Sequence, residues 1–238
     1  MSITTAILLA AGQGTRLRDA AASKPLCPVA GRPLIDHALE GLAAAGITRA
    51  IVAVGYRAAE VRAHLASRAW PLTVETVETD PARPNGVSTL AGASRLAPGE
   101  DALLAMCDHL VDPALYARVA AAGAQGGLTL GIDRRLGHTW VDPTDVTAVT
   151  TDGDRIVAIG KGLEPHDAYD TGVFAIGPRL VAALASLADP SLTEGVRLLA
   201  ADGLARTVEV SDLDWIDVDD APALAHAEAW RRGLGIAA

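Results

Sequence analysis

Lysine is almost missing from this chain: of its 20 cationic residues 18 are arginine, and Lys24 and Lys161 are the only lysines. Where arginine meets nearly every need for positive charge, a retained lysine points to a place that suits a compact, flexible ammonium rather than a planar guanidinium. Cysteine is equally scarce. Cys27 and Cys107 stand in contexts that suggest neither a disulfide framework nor a metal-ligand spacing, so both read as free thiols. No apolar run approaches the roughly 20 residues that cross a bilayer, and the N-terminus enters a strand-like segment without a basic leader. A cytoplasmic protein without membrane insertion is the expectation. Positive charge is not in excess either. The formal net charge is −9, which leaves no general field to collect nucleic acid or an anionic membrane, so any anionic ligand must be held locally. Low-complexity tracts and repeats are absent, and half the residues are apolar, as in a packed globular chain.

At 238 residues the chain lies near the size where single cores begin to split, and one domain spanning 1–238 is the default. The apolar run Ile3 to Ala10 is short and ends in glycines, so it reads as a buried strand. A loop from Ala11 to Arg32 follows, and Pro33 opens a helix of about four turns whose stripe is Leu34, Ile35, Ala38, Leu39 and Leu42. Ala50 to Val54 is strand-like, Tyr56 to Arg68 helical, and Leu72 to Val77 alternates as a strand does. A helix near Val87 to Leu96, a strand Ala102 to Cys107 and a helix start at Asp112-Pro113 come next. From Gly127 to Gly177 short strands and Gly/Asp turns predict a β-rich extension. Two helices, a strand at Thr207 to Val210, the segment Trp215 to Val218 and a last helix from about Ala221 to Arg232 complete the chain. The pattern predicts an α/β fold: a Rossmann-like, mostly parallel mixed sheet with helices on both faces. Ligands then bind beyond the carboxyl ends of the strands, where the loops after Ala10, Val77 and Cys107 meet.

The most informative segment runs from Leu8 to Leu17, with Ala11-Gly12-Gln13-Gly14-Thr15-Arg16 at its centre, and continues through Lys24-Pro25-Leu26 to Gly31-Arg32-Pro33-Leu34-Ile35. Glycines at 12 and 14 let backbone amides approach a phosphate, and Arg16 and Lys24 can supply charge to the same anion. The dinucleotide fingerprint fails because Leu17 stands where its third glycine belongs, and no Gly-Lys-Ser/Thr of a P-loop occurs. The whole run resembles the N-terminal motif of the nucleotidyltransferase superfamily that activates sugar, choline and inositol phosphates. That resemblance implies that Gly12, Gly14, Thr15, Arg16 and Lys24 bind nucleotide phosphates, with Arg16 and Lys24 acting in catalysis and the backbone near Leu9 and Ala10 facing the base. Asn85-Gly86-Val87-Ser88 resembles the family segment beside the base and α-phosphate, though a Pro-Asn-Gly turn capped by serine explains Asn85, Gly86 and Ser88 almost as well.

Asp108 closes the strand at the place where this superfamily holds Mg²⁺ by a carboxylate. A hard ion needs only one or two carboxylates plus substrate phosphates, and alternation puts Asp217 and Asp219 on one face of an extended segment. Either serves as the partner ligand, while Asp220, and less readily Asp219, is open to the plainer role of capping the last helix. Narrower motifs, among them Met106-Cys107-Asp108-His109, Ile156 to Lys161, Asp170-Thr171-Gly172 and Trp215 to Asp219, resemble CTP:inositol-1-phosphate cytidylyltransferases and their choline-phosphate and phosphonate relatives. Lys161, Asp170 and Gly172 are then expected in the acceptor pocket, with residues 1–126 holding the nucleotide and 127–238 the acceptor and the metal segment. Cys107, Ala148 and Asp220 depart from the pattern, at places where serine, lysine and threonine are expected, and Ala148 bears on the acceptor pocket. The implied partners are CTP and a small phosphorylated alcohol, inositol 1-phosphate first. The oligomeric state is left open, a homodimer included. Alternatives are a sugar-1-phosphate nucleotidyltransferase using UTP or dTTP, and a noncatalytic, nucleotide-sensing regulatory subunit on the same fold.

Overall fold

Side chains on successive residues of the first strand enter two different cores, Ala6, Leu8 and Ala10 on one face and Ile7 on the other, as period-2 geometry requires of a strand covered on both sides. A computed structural model describes residues 3–233. In chain order the strands are β1 (Thr5–Ala10), β2 (Pro28–Val29), β3 (Arg32–Pro33), β4 (Arg49–Val54), β5 (Thr73–Glu78), β6 (Ala102–Met106), β7 (His109–Val111), β8 (Leu128–Asp133), β9 (Thr147–Asp152), β10 (Arg155–Lys161), β11 (Ala168–Ile176), β12 (Ala205–Glu209) and β13 (Trp215–Asp217). The helices are α1 (Leu34–Ala44), α2 (Ala58–Ala66), α3 (Asn85–Ala93), α4 (Pro113–Ala122), α5 (Pro178–Ala185), α6 (Leu192–Ala201) and α7 (Ala221–Arg231).

Nine strands form one sheet in the order β5, β4, β1, β6, β11, β8, β12, β10, β9. Pairing is parallel from β5 to β6 and again between β8 and β12. It is antiparallel at β6/β11, β11/β8, β12/β10 and β10/β9. The α/β class stands, but parallel pairing is confined mainly to the first half of the chain. The β-rich middle is no appendage: β8, β10 and β11 continue the same sheet. Apolar stripes of α1, α2 and α4 (Leu39, Leu42, Val61, Leu115, Val119) pack on one face. Those of α5 and α6 (Leu180, Leu184, Val196, Leu199) cover the other, so helices lie on both faces. Among the described residues no helix is long and apolar enough to cross a membrane.

Local chemistry explains most element ends. Asp112 caps α4 by accepting from the Ala114 N–H at 2.8 Å, with Pro113 in the first turn, a cap worth about 1 kcal/mol. Helix α1 has 11 residues and begins after Pro33 rather than at it, three turns instead of four. Helix α3 starts at Asn85, two residues before the expected Val87. Arg57 adopts φ 52 ahead of α2, which removes Tyr56 and Arg57 from that helix. The supposed loop after β1 holds two 3-10 turns, Thr15–Leu17 and Lys24–Leu26, and the small β2/β3 hairpin. The Trp215 segment does not join the main sheet. It pairs as β13 with β7, and a third core of Leu17, Leu34, Leu110, Ile216, Val218 and Ala227 packs beneath that ribbon.

Candidate active site

Two glycine-controlled devices aim the site. At the first, Gly14 takes φ 55 and its carbonyl receives Leu17 N–H at 3.2 Å, closing the turn that presents Arg16. A Cβ on Gly14 would lie 2.4 Å from Lys24 Cβ, so the glycine turn and the Lys24 stem share one space that only glycine leaves open. At the second, the β11 register slips between Asp170 and Phe174, and Gly172 sits in that irregularity at φ 76. A Cβ there would lie 2.4 Å from His109 Nδ1. Bulges of this kind re-aim side chains beside sites: Asp170 Oδ1 accepts the Gly172 N–H at 2.7 Å.

The Lys24 side chain is only 7% exposed, and its ammonium lies among three carboxylates from two segments. Its Nζ is 2.6 Å from Asp108 Oδ2 and 3.8 Å from Asp217 Oδ1, and it also bonds Asp219. Burial pulls its pKa down, but Asp108 and Asp217 outweigh this and raise it, so the ammonium stays charged. The carboxylates converge because Cys107 N–H bonds Leu9 O at 3.0 Å, carrying the sheet register to Asp108, and Val218 N–H bonds Asp108 O at 3.0 Å. Asp217 and Asp219 both face Lys24, in agreement with strand alternation. Asp220 also lines the cleft, but it caps α7 by accepting from Ala223 N–H at 2.8 Å.

His109 stands behind Asp217, with Nε2 3.5 Å from Asp217 Oδ2 and Nδ1 2.9 Å from the Thr171 carbonyl, and its ring stacks on Trp215 at 6.0 Å between centroids. Burial disfavours the imidazolium, but the Asp217 carboxylate prevails and pushes the His109 pKa up to about 9. Burial likewise opposes ionisation of Asp217, yet His109 and then Lys24 hold it at about 2. Burial raises Asp170 to about 6. Ligand atoms of Asp108, His109 and Asp217 lie within 4.8 Å of one another. Asp217 Oδ1 is shut from solvent without a hydrogen-bond partner. An orphaned carboxylate oxygen beside other hard oxygens fits a divalent cation, and the acidic ring already draws in an ammonium.

A cleft of about 610 Å³ is lined by Arg16, Asn85, Asp108, Lys161, Asp170, Gly172, Asp217 and Asp219. A smaller recess beside it is lined by Leu9, Ala10, Gly12, Lys24 and Asp108. Thr15 lies on the exposed glycine turn but lines neither recess. Gly86 and Ser88 do not reach the cleft: Ser88 is 4% exposed, and a Cβ on Gly86 would lie 2.4 Å from the Pro190 carbonyl oxygen. Asn85 ties two helix starts together, its Oδ1 accepting Leu192 N–H at 2.8 Å. Ala148 is buried opposite Gly160, so a lysine there would have to leave the sheet interior. Sequence reasoning missed Asp145. It accepts from Arg16 Nη2 at 2.6 Å and also pairs with Lys161. The only sequence trace is an Asp-Pro-Thr-Asp turn, which is common in loops.

Residues 6–202 match the model of the MobA-like NTP transferase domain. The chain is 34% identical over 224 residues to a bifunctional IPC transferase and DIPP synthase of Rubrobacter xylanophilus, covering 90% of this chain and 49% of that protein. It is 30% identical over 231 residues to the CMP-5'-(3-aminopropyl)phosphonate synthase of Streptomyces rubellomurinus, covering 90% and 37%. The chain thus spans about half or less of the length of these curated relatives. Its fold is similar to that of the inositol-1-phosphate CTP transferase from T. maritima, with a TM-score of 0.86, 21% identity and coverage of 100% and 99%. With most of its length matched to one family model, and with relatives at 30% identity or above over most of its residues, this chain belongs to the family of MobA-like NTP transferase domains.

Proposed function

We propose that this chain is a cytidylyltransferase that transfers CMP from CTP to inositol 1-phosphate, giving a CDP-alcohol and pyrophosphate. The observation that carries the reading is the meeting of Lys24 with Asp108, Asp217 and Asp219 at one end of a cleft that is also lined by the cations Arg16 and Lys161. An oxygen of the acceptor phosphate forms the new bond to the α-phosphorus as the bond to the β-phosphate oxygen breaks, and pyrophosphate leaves. A phosphate monoester is already ionised, so this step needs no general base, and the protein's share is positioning and charge.

In this reading the amides of Gly12 and Gly14 with Arg16 and Lys24 hold the triphosphate, and the recess at Leu9 and Ala10 receives the base side. Lys161 takes the acceptor phosphate, and Asp170 with the Gly172 segment lines the alcohol end. Asp108 and Asp217, with Asp219 beside them, would hold Mg²⁺. Such an ion, when bound, neutralises phosphate charge and acts as a Lewis acid at the α-phosphoryl group. His109 fixes Asp217 through its Nε2 while the Thr171 carbonyl fixes His109.

A phosphonate acceptor is the second reading, favoured by the 30% identity to the aminopropylphosphonate synthase. The test is a pyrophosphate-release assay that crosses four nucleotides with inositol 1-phosphate, choline phosphate, glycerol phosphate, an aminoalkylphosphonate and glucose 1-phosphate in Mg²⁺. Turnover restricted to UTP or dTTP with the sugar phosphate defeats the cytidylyl reading. No turnover with any pair returns the regulatory alternative.

A further inference from the structure

Asp145 lines the cleft but has no part in the proposed reaction, and unlike Asp220, which caps α7, and Asp142, which closes a turn, it is turned onto two cations. Residues 142–146 form a tight turn in which Asp142 Oδ1 accepts Thr144 N–H at 2.8 Å and Thr144 Oγ1 at 2.7 Å. Asp145 N–H and Val146 N–H both return to the Asp142 carbonyl, at 3.1 and 2.9 Å. The loop is pinned at its base by Trp140 Nε1, which donates to Trp215 O at 3.1 Å. Asp145 therefore reaches the cleft on a short, self-bonded support rather than on a free loop.

Its two oxygens are divided between two cations from different parts of the chain. Oδ2 faces Arg16, which the glycine turn presents, and Oδ1 faces Lys161 at the end of β10. Arg16 has a second acid in Asp219, whereas the ion pair of Lys161 among the described residues is with Asp145. These bonds, Lys161 first and Arg16 second, lower the Asp145 pKa, so it stays anionic throughout the neutral range. An acid in this position opposes the approach of a phosphate to either cation. Lys161 is 62% exposed, so its pair with Asp145 is of the weak, water-screened kind that a better anion displaces.

Taking Arg16 and Lys161 as phosphate-binding, as the proposed function does, we propose that Asp145 is a specificity-determining counter-ion. It occupies the phosphate-facing sides of both cations and thereby shuts out inorganic phosphate, while a substrate with a nucleoside or an alcohol body displaces it with binding energy drawn from the rest of the cleft. Specificity of this kind comes from an element that penalises the wrong ligand. Asp145 is a positioning residue here and takes no part in bond making.

The experiment is calorimetric titration of inorganic phosphate into the wild-type protein, Asp145→Asn, and Asp145→Asn combined with Lys161→Met, at fixed ionic strength. The expected result is that Asp145→Asn binds phosphate roughly two- to fivefold more tightly than wild type, the size of one displaced partly exposed ion pair, and that the double variant loses the gain. In turnover, inorganic phosphate becomes a stronger inhibitor and the acceptor KM falls, a split that a merely structural role would not produce. Asp145→Ser serves as a second variant should the asparagine protein melt early. Phosphate binding to Asp145→Asn no tighter than to wild type, or a gain that persists without Lys161, overturns the proposal. Phosphate binding is read without CTP, so an error in the cytidylyl assignment shows separately as missing pyrophosphate release.

Discussion

Replacing Lys24 by methionine keeps the apolar stem that packs against Gly14 and removes only the charge. At an effective dielectric of about 20, the Coulomb attraction of the ammonium is about 6 kcal/mol at the 2.6 Å of Asp108 and about 4 kcal/mol at the 3.8 Å of Asp217. Desolvation of a buried ammonium offsets several kcal/mol of this. Losing the cation leaves three carboxylates facing one another, each still 28–39% exposed and therefore partly relieved by water. The net loss is then about 2–3 kcal/mol, at or below the low end for breaking a buried pair, or roughly 4–12 °C in melting temperature for a chain of this size. A divalent cation fills the same electrostatic role, so millimolar Mg²⁺ is expected to restore more stability to Lys24→Met than it adds to wild type. Turnover is expected to fall roughly 100-fold or more, the cost of losing one transition-state donor. Thermal melts with Mg²⁺ or chelator, paired with pyrophosphate release, read both effects. A variant that melts like wild type and turns over normally would refute the placement of Lys24 as counter-charge. So would a destabilised one that Mg²⁺ does not help.

Three further expectations rest on other residues. Gly14→Ala puts a Cβ 2.4 Å from Lys24 Cβ at φ 55; a stability loss of about 1–2 kcal/mol from the left-handed backbone alone, with turnover as low as in Lys24→Met, is expected in melts and kinetics. Gly172→Ala forces His109 away from Asp217, and should weaken Mg²⁺ binding by about tenfold or more in calorimetry, the usual scale for losing an outer-shell partner. His37 donates Nε2–H to Val29 O at 2.9 Å while its buried Nδ1 has no partner, and burial holds its pKa below the usual 6.5. Below pH 6.5 the unfolded chain binds a proton that the folded chain refuses, so stability falls as the pH drops from 6.5 toward the depressed value. Chemical denaturation between pH 7.5 and 5 should show this slope reduced in His37→Gln.

What could be read in advance was what depends on neighbours in sequence. The glycine turn with Arg16 and Lys24, the Asp112-Pro113 cap and the Asp217/Asp219 alternation are each set by residues a few positions apart, and each stands in the fold as local rules predict. The β-rich half was legible as strands but not as a sheet. Strand β11 inserts between β6 and β8 rather than beside β10 or β12, its neighbours in sequence, and a period-2 pattern carries no record of which strand lies alongside. Asp145 was illegible for the same reason in a stronger form. Its partner Arg16 is 129 positions away, and its meaning arises only when a turn of the second half of the chain is laid against the glycine loop of the first. The cleft is therefore built from two kinds of information. On the proposed function, the end that would bind the nucleotide phosphates is written locally in one loop, because glycine conformation and nearby cations are enough to make it. The end proposed to take the acceptor is assembled from β10, β11, β13 and the Asp145 turn, four segments whose chemistry is ordinary until packing brings them together. That difference predicts where substitutions redirect this enzyme: changes near Arg16 and Lys24 abolish turnover with every acceptor, whereas changes at Asp145, Lys161 or Asp170 alter which acceptor is chosen, and a panel of acceptors run against both groups of variants separates the two outcomes.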